Sequence, residues 1–261
     1  MTTSLRADLS AVYTFVIPVK DDLRVYTAVS RIRRFAASAN LTADIIVCGT
    51  LPQSAVASLG VPFVTVSSGR KGMAVREGVL RATGAVIVIC DADVPVGDGD
   101  LQRIVAALAD CDIVVASRTA NGSSRAQGIS QTRRILGSCF RALVHRLFKL
   151  SGDTQCGVKA LRRSADLQLF ESQLATGLAY DVELMLKVRH MRLRCREVPV
   201  TIQNGTQSVV RPLQAVCEVL RDLAVLWFRL GRAESPTISR SGRQRCRRSA
   251  HSVCKRLNTS R

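Results

Sequence analysis

Residues Ala85-Val86-Ile87-Val88-Ile89-Cys90 form an unbroken apolar run, short and dominated by β-branched side chains. A run of that length, apolar on both of its alternating faces, reads as a strand covered on both sides, as in parallel sheets. Similar runs predict strands at Val12–Val19, Asp44–Cys48, Phe63–Val66 and Asp112–Ser117. Helical patterns lie between them, at Leu23–Ser38, from Gly69 to about Ala82, and at Asp100–Ala109. This β-α alternation predicts an α/β fold, a mostly parallel sheet flanked by helices on both faces. Further along, helices are predicted at Gln131–Leu150, Leu178–His190 and Pro212–Leu230, with a short strand at Arg196–Ile202.

The 261 residues suit one such domain plus a tail: an extension over 1–10, a domain over 11–230 and a basic, disordered segment over 231–261. The net charge of +18 points to an anionic partner: a phosphorylated substrate, an acidic membrane surface or nucleic acid. Aromatic residues make up only 4%, poor material for stacking bases, so no specific nucleic acid is expected. The nine cysteines contain no CxxC pair and mostly sit in apolar runs, which predicts buried, reduced thiols in a reducing, cytoplasmic compartment. No signal-peptide core and no transmembrane-length apolar run is present, so any membrane association is expected to be peripheral.

The strand at 85–90 ends in Asp91-Ala92-Asp93, followed by the chain breakers Val94-Pro95 and Gly97-Asp98-Gly99. Carboxylates at the carboxyl end of a parallel strand stand where open α/β sheets bind ligands, and such a pair suits Mg²⁺ or Mn²⁺ bridging to a diphosphate. A turn followed by a helix N-cap is the plainer reading of the same residues. Gly69-Arg70-Lys71-Gly72 sets cations and free backbone N–H groups at a helix start, an anion site without P-loop spacing. Asp153-Thr154-Gln155-Cys156-Gly157-Val158-Lys159 reads as a polar loop. Tyr180-Asp181-Val182-Glu183 places two carboxylates near a helix start, where capping is the plain reading. Gln131–Leu150 pairs an apolar face (Ile135, Leu136, Phe140, Leu143, Val144, Leu147, Phe148) with Arg133, Arg134, Arg141, Arg146 and Lys149. Such a basic amphipathic helix lies in a membrane interface or packs on a core with a solvated basic side.

In register, Val16-Ile17-Pro18, Gly69–Gly78, Asp91-Ala92-Asp93, Ser117-Arg118, Asp153–Lys159 and Tyr180–Leu184 resemble the family 2 glycosyltransferases. The resemblance runs from roughly Tyr13 to Arg229 and is strongest to the polyprenyl-phosphate branch, the dolichyl-phosphate glucosyltransferases and mannose synthases. It implies a GT-A fold, Rossmann-like, of the nucleotide-diphospho-sugar transferase type. It also implies inverting transfer of a hexose from a nucleotide sugar, UDP-glucose or GDP-mannose, to a polyprenyl or dolichyl phosphate at an anionic membrane surface.

On that resemblance Asp91 and Asp93 hold Mg²⁺ or Mn²⁺. Pro18, Asp22, Lys71 and Arg76 lie on the donor side, with Asp91 and Asp93. Arg118, Arg133 and Arg134 bind the acceptor phosphate, and Asp153, Gln155, Lys159 and Glu183 line the sugar and acceptor side. Asp93, Asp181 and Arg118 carry the catalysis, with Asp181 the base if the acceptor is a hydroxyl. The chain departs from the family pattern in having Asp21-Asp22 after the first strand, Val47-Cys48-Gly49-Thr50 after the second, and Gln207-Ser208-Val209 in place of a Gly-Ser-Lys motif, with Arg211 as a substitute cation. A glycan or small hydroxyl acceptor, or a weakly active pseudoenzyme, are the alternative readings.

Overall fold

The structure, a computed structural model, describes residues 12–94, 96–120, 131–202 and 212–230. The proposed extension and basic tail, and the 207–211 segment, therefore lie outside the described residues. The elements run β1 (Tyr13–Lys20), α1 (Val25–Ser38), β2 (Ala43–Thr50), α2 (Gln53–Ala57), β3 (Phe63–Thr65), α3 (Lys71–Arg81), β4 (Val86–Cys90) and α4 (Asp98–Ala107). They continue β5 (Ile113–Ser117), α5 (Gln131–Phe148), β6 (Val158–Arg162), α6 (Arg163–Glu171), α7 (Tyr180–His190), β7 (Cys195–Pro199) and α8 (Pro212–Arg229).

The seven strands form one sheet in the order β3-β2-β1-β4-β6-β5-β7. All neighbours are parallel except β6, which runs antiparallel to β4 and β5. Alternation along each strand divides the core in two. Phe15, Ile17, Val86 and Val88 pack with Val25, Ile32, Phe35, Leu101 and Ile104 of α1 and α4. Val16, Ile87 and Ile89 pack on the other face with α3, α6 and α7 through Val75, Val79, Phe170, Val182 and Leu186. Both faces are thus covered, which is why the strands read as continuous apolar runs.

Pro18 sits in a strand that is internal to the sheet, where a missing N–H normally breaks a ladder. Here β4 pairs only with Tyr13–Val16, so Pro18 lies beyond β4's reach and the loss is tolerated. Helix α3 lies close against β1 and β2. A Cβ on Gly78 would stand 2.4 Å from Val16 Cγ1 and 2.6 Å from Cys48 Sγ.

Three expectations change. The stretch 153–159 is not only a loop: Val158 and Lys159 begin β6, and α6 follows directly. Lysine and arginine interrupt the apolar pattern there, because Lys159 is buried by an ion pair that spacing does not reveal. The described cysteines are not uniformly buried: Cys48, Cys90, Cys111 and Cys156 are, whereas Cys139, Cys195 and Cys217 are exposed, and these seven form no disulfide. The apolar side of α5 is divided. Val144 and Phe148 are core residues, whereas Ile135 and Leu136 at its start are 62% and 45% exposed. Among the described residues no helix is long and apolar enough to cross a membrane.

The tight α3 contact predicts that Gly78→Ala destabilises the domain despite alanine's better helix propensity, which is worth about 1 kcal/mol. Overpacking costs about 1–3 kcal/mol. The expected result is a lower urea midpoint at unchanged m-value, and an unchanged or higher midpoint would contradict the packing described.

Candidate active site

The parallel strands β1 and β4 end side by side, and charged residues begin where their apolar runs stop. After β4 the Asp91 N–H donates to the Gly157 carbonyl at 3.0 Å and the Val94 N–H to the Asp91 carbonyl at 2.9 Å, which turns the chain through Asp91–Val94. Val94 adopts φ +40°, a costly conformation for a β-branched residue. A Cβ on Gly157 would fall 2.2 Å from Asp91 Oδ2, so only glycine allows the approach to β6 to lie against this carboxylate.

Both strand-end carboxylates face cations. Lys71, first residue of α3, places Nζ 2.6 Å from Asp91 Oδ1, and the same ammonium lies 5.8 Å from the centroid of the Tyr180 ring. Arg24 Nη1 stands 3.6 Å from Asp93 Oδ2. Arg24 is itself gripped by Asp22, at 2.9 and 3.0 Å through Nε and 2.6 Å through Nη2. Burial works against the Lys71 charge, but Asp91, Asp181 and Asp93 outweigh it and hold its pKa above the ordinary lysine value. Arg24 feels Asp22, Asp93 and Asp91 together. One patch of field therefore contains Asp22, Asp91 and Asp93 with two cations among them.

Two further ion pairs flank this patch. Lys159 of β6, 1% exposed, donates to Asp181 Oδ1 of α7 at 2.6 Å and to the Cys156 carbonyl at 2.7 Å. Burial first, then the Asp181 and Asp91 charges, push the neighbouring Tyr180 phenol well above the ordinary tyrosine range. Arg118, just past β5, makes a two-pronged pair with Asp153, Nε to Oδ2 at 2.6 Å and Nη2 to Oδ1 at 2.8 Å. Asp153 also accepts the N–H groups of Arg118 at 2.9 Å and Gln155 at 3.2 Å. Burial opposes the Asp153 charge, yet these donors hold its carboxyl below the usual range. Cys156 stays a thiol, its pKa pushed up to about 11 chiefly by burial.

The structure thus brings together Asp22, Lys71, Asp91, Asp93 and Asp181, and pairs Arg118 with Asp153. Gln155 reaches the Leu178 carbonyl at 3.3 Å, tying this loop to the approach to α7. Arg76 is used elsewhere: it donates to the Phe170 and Glu171 carbonyls and pairs with Glu77, fastening α3 to α6. Glu183 accepts the Leu174 and Ala175 N–H groups and pairs with Lys187 at 2.7 Å, shaping a buried turn. Arg133 and Arg134 fall on α5, but their side chains lie outside the described residues. Sequence reasoning overlooked Arg24, Tyr180 and Gly157. Their available signals were the Asp22-x-Arg24 spacing, the aromatic ring preceding Asp181, and a glycine beside a buried turn.

Residues 58–170 match the family model Glycosyl transferase family 2. That segment of the chain is similar to the glycosyl transferase family 2 domain. Among curated proteins it is 28% identical over 218 residues to the dolichyl-phosphate beta-glucosyltransferase of Drosophila melanogaster, covering 76% of this chain and 67% of that protein. It is 33% identical over 165 residues to one from Trichomonas vaginalis, covering 58% and 49%. The mouse (Mus musculus) protein of the same name is 30% identical over 178 residues, covering 65% and 55%. The chain spans about half to two-thirds of the length of these relatives. Glucosyl-3-phosphoglycerate synthase of Mycobacterium tuberculosis superposes with a TM-score of 0.64 at 15% identity, over 88% of this chain and 84% of that one. Its complex with Mn²⁺, uridine diphosphate and phosphoglyceric acid gives 0.65 at 16%, over 88% and 82%. The fold is accordingly GT-A.

The buried Lys159–Asp181 pair yields a prediction about what holds the site together. Lys159→Met leaves Asp181 buried without its cation and should cost about 3–5 kcal/mol. The double variant Lys159→Met/Asp181→Leu removes both charges and should recover most of that loss. Denaturant unfolding of the three proteins checks this; a double variant as weak as the single one would show that the pair is not the source of the cost.

Proposed function

We propose that this domain transfers glucose from UDP-glucose to a dolichyl or other polyprenyl phosphate, with inversion, at the surface of an anionic membrane. The observation that carries this reading is the strand-end patch in which Asp91 and Asp93 each face a cation from another element. Two carboxylates suit a hard divalent ion, Mn²⁺ or Mg²⁺, that keeps water and diphosphate oxygens for its remaining positions. Lys71 supports the fit, since its ammonium already lies against Asp91 Oδ1 as a cation would. When bound there, the ion supplies Lewis-acid stabilisation of the departing nucleotide. Lys71 and Arg24 offer positive charge to the same diphosphate, and Asp22 fixes the aim of Arg24.

On the acceptor side Asp153 occupies Nε and Nη2 of Arg118 and so orients the guanidinium, leaving Nη1 for a phosphate oxygen. A phosphate monoester is already ionised at neutral pH, so it needs no general base. This agrees with an Asp181 whose Oδ1 is committed to Lys159. Positioning and charge neutralisation then carry the catalysis. The lipid acceptor is favoured over a small phosphorylated one by Ile135 and Leu136, exposed on the same turn of α5 as Arg133 and Arg134. Glucose is favoured by the names of the curated relatives, and UDP by the uridine nucleotide in the structural neighbours. Attachment to the cytoplasmic side of the membrane is part of the same reading.

Transfer of radiolabel from UDP-glucose and GDP-mannose to dolichyl phosphate with Mn²⁺ tests the proposal. Labelled lipid is expected from UDP-glucose, with kcat reduced about 100-fold or more in Asp93→Ala. No product from either donor with folded protein would contradict the reading and favour another acceptor or a pseudoenzyme.

A further inference from the structure

The chain leaves β4 through a segment that has to be held in place. Val94 and Val96 are buried, so their carbonyls need donors inside the protein. Val94 sits at φ +40°, and a β-branched residue stays in that region only where its surroundings over-determine it. Val96 makes an isolated bridge with Ile202 rather than joining a strand. The donors come from α1. Arg31, its side chain 17% exposed, gives Nη1 to the Val94 carbonyl at 2.8 Å and Nη2 to the Val96 carbonyl, and its Nε lies 3.2 Å from Asp98 Oδ1. The Asp98 carboxylate stands largely in solvent, so that contact adds little. The two carbonyl bonds come from a charged donor, the stronger kind of hydrogen bond.

About two helical turns separate Arg31 from Arg24, so both guanidinium groups leave the same side of α1. Arg24 faces Asp93 Oδ2 at 3.6 Å. One helix therefore grips the segment twice, at the Asp93 carboxylate and at the carbonyls just beyond it. The helix is itself fixed to the sheet through Val25, Val29, Ile32 and Phe35, which are buried with the inner face of β1. Holding the peptides on the far side of Val94 holds that residue's dihedral angles, and with them the direction in which the preceding Asp93 side chain leaves the chain. The planar fork of a guanidinium spans two carbonyls at once, which a lysine ammonium on a flexible stem does not. We propose that Arg31 is a positioning residue: it clamps the strained turn after β4 and so aims Asp93 into the diphosphate seat. This deepens the proposed function and rests on it for what the seat holds.

Two readouts test this together: native-state amide exchange over 91–98 in the ligand-free protein, followed by mass spectrometry, and titration of UDP in the presence of Mn²⁺. Arg31→Met should exchange faster at 91–98 while β1 keeps its wild-type protection. Its Mn²⁺-dependent UDP affinity should fall about tenfold or more, the scale of losing a group that orients a metal ligand. Arg31→Lys, with one donor nitrogen for two carbonyls, should lie between the two, and it carries the test if Arg31→Met does not fold. Arg33→Met breaks a comparable bond from α1, to the Gly60 carbonyl at 2.6 Å, and should match wild type in both readouts. Unchanged exchange at 91–98 in the Arg31 variants would overturn the inference, as would an equal loss in Arg33→Met. Faster exchange with unchanged UDP binding would reduce Arg31 to a structural tie and overturn the positioning role. Wild type that binds no UDP with Mn²⁺ would instead remove the proposed function, and faster exchange confined to 91–98 in Arg31→Met would then still establish the clamp on the turn.

Discussion

Covering a parallel sheet on both faces confines charge to the ends of its strands, and the site of this protein is built from that confinement. β1 and β4 run side by side with no charged side chain until their carboxyl ends, the buried Thr14 hydroxyl being taken up by the Gly84 N–H. There Asp22, Asp91 and Asp93 emerge together. Three carboxylates in one place repel one another unless cations enter, and Arg24 and Lys71 do so from the starts of α1 and α3. The fold thus collects an arrangement of alternating charge at the place where an open α/β sheet accepts a ligand.

Around this patch nearly every ionic side chain is tied to a named opposite. Asp153 holds Arg118, Lys159 holds Asp181, and Asp22 holds Arg24. The buried members of these pairs are costly to strip of their partners, so the pairs act as fixed supports rather than as mobile reagents. The groups with spare capacity are those at the mouth: Lys71, the outer edge of Arg118, and the carboxylates of Asp91 and Asp93. A reaction dependent on placing two phosphates and a sugar, rather than on moving a proton, suits such a construction.

Much of this was readable in advance, and the exceptions have physical causes. The strands β1, β2, β4 and β5 were legible because both faces are apolar, and Asp91, Asp93 and Lys71 because they sit where such strands end or such helices begin. β6 was hidden because Lys159 and Arg162 break its pattern, and the partners that allow their burial are far away in sequence. Arg76 looked like a companion of Lys71, but five residues along a helix rotate a side chain by about 140°, toward α6. Glu183 was grouped with Asp181 for the same reason. Two positions apart they lie on opposite sides of α7, one at the site and one in a buried turn. The role of Asp153 was half legible: its place near the acceptor side was, but not that its side chain is wholly buried behind Arg118.

The central claim is that Asp91, Asp93 and Lys71 together form a seat for a metal-bound diphosphate. Isothermal titration of UDP into the protein, with and without Mn²⁺, tests it without any acceptor or turnover. The account predicts binding that depends on Mn²⁺ and weakens about tenfold or more in both Asp91→Asn and Lys71→Met, the scale of one charge-assisted hydrogen bond. UDP binding that is equally tight without the ion and untouched by either substitution would contradict it.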